Sequence, residues 1–136
     1  EKYRGAPDIR LHEIDVARPL EIAGERIVPV SGHHSERFEV TGYRIGRMAY
    51  LTDFKTIADA EVGKLIGVEL LVVNALRFRP HPSHFNVEEA LALIARVAPR
   101  RALITHVSHE IGRHAATTAL LPRGVELAYD GLEIII

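Results

Sequence analysis

Apolar positions change their spacing along the chain. Residues 9–15 (Ile-Arg-Leu-His-Glu-Ile-Asp) alternate apolar and polar, the period of a half-buried strand. Pro19 and Gly24 punctuate the next stretch, and residues 25–30 read as a second strand whose Pro29 suggests an edge or a strand end. Residues 31–39 read as a polar loop. Residues 43–52 are β-rich, with Gly46-Arg47 placed to turn a hairpin, and run straight into Asp53. A short helix is expected within 57–65, stopped by Gly67, and the apolar run 68–74 has the pattern of a strand buried on both faces. An irregular loop with Pro80, His81, Pro82 and His84 follows. The clearest helix is 87–97: Val87, Leu91, Ile94 and Ala98 recur at helical spacing, Asn86 and Glu89 form a capping box, and Pro99 ends it. Residues 102–105 predict a short buried strand and 111–121 a second helix. Residues 125–128 and 132–136 flank Asp130-Gly131 as a closing hairpin. These elements predict a mixed α/β (α+β) unit, mostly antiparallel β in the first half and α/β layers in the second. No repeat, linker or low-complexity stretch divides it, so residues 1–136 are expected to form a single unit.

Composition narrows the chemistry. Of 136 residues, 47% are hydrophobic and 26% charged, enough for one globular core. Seventeen Lys and Arg against eighteen Asp and Glu give a net charge of −1, so nucleic acid is not indicated by charge, although a local basic groove is left open. With no Cys, a metal must be held by His and carboxylate, and eight His are available. The apolar runs are far shorter than the roughly 20 residues of a membrane span, and no targeting segment is visible; the expectation is a cytoplasmic protein without membrane partners.

Three polar positions follow predicted strands: His34, Asp53 and His106. Strand C-termini are where α/β sheets gather their sites, and two imidazoles with a carboxylate suit Zn²⁺, Mn²⁺ or Fe²⁺. Each alone reads more readily as a turn residue making local hydrogen bonds. His84 sits where a general acid or oxyanion donor would serve, whereas His81, between two prolines, reads as helix-entry packing. His109 either orients His106, binds an anion or caps the next helix. His12 and His114 read as surface residues, and Arg96, Arg100 and Arg101 as complements to a helix dipole.

Tyr50-Leu51-Thr52-Asp53, Ser83-His84-Phe85, the run from Leu103 through Thr105-His106-Val107-Ser108-His109, and Ala128-Tyr129-Asp130-Gly131-Leu132-Glu133-Ile134 follow one another in an order and spacing that resemble the C-terminal half of metallo-β-lactamase-fold hydrolases. The nearest likeness is to the branch of phosphonate-operon cyclic phosphodiesterases and tRNase-Z-like enzymes. The resemblance implies an αββα sandwich with a mixed sheet and helices on its outer face. It also implies a site for two divalent ions, Zn or Mn and in some cases Fe. Carried over, the family's later His matches His34, its bridging Asp matches Asp53 and its final His matches His106. Counting from Pro29 favours His34, with His33 the other candidate. The His before the helix, which assists phosphodiester cleavage in this branch, matches His84. His109 would orient substrate or the ligand shell.

The family's His-x-His-x-Asp-His motif occurs nowhere in the chain. With a first residue that is Glu, the expectation is the C-terminal half of a longer enzyme. The activity implied for that enzyme is phosphodiester hydrolysis by a dinuclear site and a bridging hydroxide, on a small phosphodiester or nucleotide-like substrate. Two other readings stand beside it: hydrolysis of a lactone or thioester on the same fold, and a non-catalytic half-domain that needs a partner. An uncovered sheet face would make that half-domain prone to associate, as in a homodimer.

Overall fold

Gly46-Arg47 turns the chain as its spacing predicts, and the strand it starts is the hinge of the architecture. In a computed structural model, which describes residue 7 and residues 9–136, the sheet runs β1 (Leu20–Ile22), β2 (Glu25–Ser35), β3 (Phe38–Ile45), β4 (Met48–Leu51), β5 (Leu70–Asn74), β6 (Arg101–Thr105) and β7 (Val125–Leu127), in that spatial order. Pairings up to β3–β4 are antiparallel and those from β4–β5 onward are parallel, the division expected from the pattern. Helix α1 (Asp59–Gly63) follows β4, and α2 (Val87–Val97) connects β5 to β6.

The period of two sorts the strand residues into two layers. Leu71, Val73, Ala102 and Ile104 join Val87, Ala90, Leu93, Ile94 and Val97 of α2 in the main core. Leu70, Val72 and Leu103 face the other way, partly covered by Met48, Leu132 and Ile134. Helix α2 has the predicted bounds, with Asn86 and Glu89 exchanging side-chain to backbone bonds at its start. Ala98 closes it in a left-handed conformation (φ 51°) before Pro99.

Four expectations are corrected. Residues 9–15 alternate but find no neighbouring strand: they are irregular, with Ile9 and Leu11 exposed. The polar stretch 31–39 is a hairpin, not a loop, because ladder bonds need only the backbone and its polar side chains stay at the surface. The helix expected over 111–121 shrinks to α3 (His114–Thr118) behind a 3₁₀ turn at His109–Ile111, since Gly112 at φ 94° breaks the path. The closing hairpin does not form. Val125–Leu127 instead adds a parallel strand to the free edge of β6, and after the turn at Asp130-Gly131 the chain recrosses the sheet face.

No helix among the described residues is long and apolar enough to cross a membrane.

Candidate metal centre

Strands β4, β5 and β6 end side by side, and the loops leaving them are sewn together by hydrogen bonds. Asn74, the last residue of β5, is fully buried; its amide accepts from the Phe54 N–H (2.8 Å) and donates to the Phe54 carbonyl (2.9 Å). The Phe85 N–H donates to the same carbonyl (2.8 Å), Leu76 N–H to Phe85 O (2.9 Å) and Ser108 N–H to Leu76 O (2.9 Å). Phe54 also fills the space a side chain at Gly32 would need, since a Cβ there would lie 2.3 Å from its ring. The residues flanking Phe54 and Phe85, Asp53 and His84, therefore project from a fixed frame.

The backbone itself is strained there. Asp53 and His106 adopt left-handed φ values of 64° and 56°, a region that non-glycine residues enter at a cost of about 1–2 kcal/mol. His34 is displaced differently: the β2–β3 ladder pairs His33 with Glu39 and Ser35 with Phe38, skipping His34, and such a bulge re-aims a side chain. His33 turns outward, and its backbone bonds the segment after Asp53 through Lys55 and Thr56.

These devices bring Asp53, His34, His84 and His106 together. His34 Nδ1 lies 2.9 Å from the Asp53 carbonyl, which can only accept, so Nδ1 carries the hydrogen and Nε2 keeps its lone pair. The Nε2 atoms of His84 and His106 lie 3.2 and 3.5 Å from one oxygen of the Asp53 carboxylate, while the Thr52 hydroxyl donates to the other at 3.0 Å. The His84 ring meets His34 edge-on at 4.5 Å and stacks on His106 at 4.8 Å. Ligand atoms of His34, Asp53 and His84 lie within 4.8 Å of one another, with His106 beside this trio on the shared carboxylate.

Burial pushes the Asp53 carboxyl up, but the Thr52 and His84 hydrogen bonds and the neighbouring imidazoles outweigh it, so its pKa falls below the usual 3.8. Burial, helped by the charges of His34, His106 and His81, lowers His84 below the usual 6.5 against the pull of Asp53. An ionised carboxylate beside a neutral imidazole is the state in which both can serve a cation. The donor set fits a divalent ion: nitrogen and oxygen ligands without thiolate, with one His oriented through its other nitrogen by a backbone carbonyl.

His109, itself exposed, begins the 3₁₀ turn and takes no part in these contacts among the described residues. Three residues escaped the sequence reading. Asn74 is a polar residue closing an apolar run; Ser83 and His81 contact the ring of His84, and the prolines around His81 had suggested packing alone.

The family model described as "Beta-lactamase superfamily domain" matches residues 1–107. The chain belongs to the beta-lactamase superfamily. Within that superfamily it is similar to a crystallised diphosphatase of the PhnP family, with 35% identity and a TM-score of 0.88 over 93% of this chain and 49% of that one. Human tRNase Z, short form, shares the fold at 17% identity and a TM-score of 0.63, over 83% of this chain and 44% of that one. A Porphyromonas gingivalis protein named octanoyltransferase is 37% identical over 135 residues, which are 98% of this chain but 27% of that protein. This superfamily chain thus spans about half of the solved diphosphatase and about a quarter of the P. gingivalis protein.

Proposed function

We propose that this superfamily member supplies one side of a metal-dependent phosphodiesterase site acting on a small phosphodiester or nucleotide-like substrate. The observation that carries the reading is one carboxylate, on strained backbone at the strand ends, contacted by two imidazoles, with a third imidazole packed on them. The 35% identity to a diphosphatase supports phosphorus rather than carbon as the centre attacked.

In this reading His34, Asp53 and His106 would be the residues of this chain that hold divalent metal, Zn or Mn. When bound, the ions supply positive charge for the phosphoryl oxygens and lower the pKa of water near them. The hydrogen bond from His34 Nδ1 fixes the ring so that Nε2 is left available to a metal, and Thr52 holds the Asp53 carboxylate through one of its oxygens. His84, with Nε2 beside Asp53, offers a hydrogen bond to the phosphoryl group or, in its imidazolium form, a proton to the leaving oxygen. Two ions need more donors than these residues provide; in this reading the rest come from a segment matching the part of the diphosphatase that this chain does not cover.

The likeness to a protein named octanoyltransferase favours a second reading, acyl-ester or thioester chemistry at the same site. Parallel assays with phosphodiester and thioester substrates separate the two.

His84→Ala in the full protein tests the division of labour. Metal content should be unchanged while phosphodiester hydrolysis falls about 10²–10⁴-fold, the usual contribution of a positioned acid or base. Loss of metal from this variant would place His84 among the ligands instead.

A further inference from the structure

The loop that carries His84 leaves β5 at Ala75 and runs to the start of α2. Its two roots are closed by backbone: Leu76 N–H donates to Phe85 O at 2.9 Å, and Val87 N–H donates to Arg77 O at 3.0 Å. Between those closures residues 78–84 make an excursion, tied inward by a side chain from its own root. The Arg77 guanidinium donates through one terminal nitrogen to the Pro80 carbonyl (3.2 Å) and through the other to a carboxylate oxygen of Glu110 (2.7 Å). Glu110 lies in the 3₁₀ turn, four residues after His106.

Every group in this link has a fixed hydrogen-bonding role: a guanidinium only donates, and a carbonyl and an ionised carboxylate only accept. The hydrogen bond from Arg77, with Arg79 on the second oxygen at 2.9 Å, holds the Glu110 carboxyl below its usual 4.5, so it is ionised at neutral pH. Arg79 is largely exposed, whereas the Arg77 side chain is mostly covered. The Arg77 Nε is buried and makes no hydrogen bond among the described residues, a cost that an apolar side chain of similar length avoids. An arginine here is a poor choice for packing and a good one for bridging, since its flat fork reaches acceptors on two loops at once.

We infer that Arg77 is a positioning residue: its guanidinium ties the loop bearing His84 to the turn after His106, and so sets how those two imidazoles stack beside Asp53. The buried Asn74 amide does not replace this tie, because it acts through Phe54 on the neighbouring loop. Without Arg77 the fold survives: Phe85 N–H still binds Phe54 O, and Ser108 N–H still binds Leu76 O. What is lost is the alignment of the excursion against the turn, and with it the 4.8 Å stacking of His84 on His106.

The effect on rate rests on the phosphodiesterase reading; the effect on geometry does not, and the experiment reads them separately. NMR on the full protein should show nuclear Overhauser contacts between the rings of His84 and His106. Arg77→Met and Glu110→Ala should each lose them while the rest of the spectrum keeps its native dispersion, and Arg77→Lys should recover them in part. Arg79→Met, which leaves the Arg77 link in place, should keep them. Ring contacts retained in Arg77→Met, or absent from the native protein, overturn the inference. Their loss in Arg79→Met as well would assign the effect to charge and overturn it too. In activity assays Arg77→Met should lower kcat about 10–100-fold at constant KM and unchanged metal content. The double variant with Glu110→Ala should lower it no further, since both changes remove one link. Lost ring contacts with unchanged kcat would uphold the role of Arg77 in the geometry and refute the one proposed for His84.

Discussion

The two ends of the parallel strands use their polar side chains differently. At the N-terminal end, charges pair off at the surface: Arg47 with Glu69 at 2.8 Å, and Arg101 with Glu126 through two bonds of 3.1 Å. The β3–β4 turn there takes its positive φ on a glycine, Gly46, and the end of α2 takes its own on Ala98, which carries no polar side chain. At the C-terminal end, several groups converge on one carboxylate instead of pairing off, and the positive φ values fall on Asp53 and His106. Glycine would fit those two positions with less strain. That the strain is borne by a carboxylate and an imidazole, and that a buried amide is committed to holding the loop, supports the proposed placement of the site at the C-terminal end.

The contrast can be sharpened by mutation. Asn74→Ala should have the largest effect on stability, about 2–3 kcal/mol, because it leaves the buried Phe54 N–H without its acceptor. The carbonyl of Phe54 keeps its bond from Phe85, so the loop should loosen without unfolding the sheet. Chemical denaturation reads this; a loss under 1 kcal/mol would mean the amide clamp is not what fixes Asp53. His106→Gly should act oppositely and more weakly. Relief of the left-handed strain should leave the metal-free protein as stable or up to about 1 kcal/mol more so, while metal affinity falls about 10–100-fold. Destabilisation by more than 2 kcal/mol would assign the His106 ring to packing and remove the contrast.

Much of this was legible beforehand, for physical reasons that differ by residue. Helix α2 announces itself because both its apolar period and its capping box are local. Asp53 and His106 stand out because each follows directly on the end of a largely apolar strand. The 31–39 hairpin was hidden because its stabilising bonds are made by backbone, to which side-chain polarity is blind. The place of β7 depended on an unfilled edge of β6, a fact about the assembled sheet. Asn74 looked like the boundary of a strand, and its partner is 20 residues away in sequence. His109 lies three residues from His106, but the turn at His109–Ile111 leaves it outside the cluster.

In the proposed function, Asp53 is the group around which metal binding is organised. Elemental analysis after exhaustive dialysis, on the full protein and on Asp53→Ala with matched circular dichroism, checks this. Tightly held divalent metal is expected in the native protein, lost from the folded variant together with phosphodiester hydrolysis. Equal metal content in both, with turnover retained, would remove Asp53 from that role.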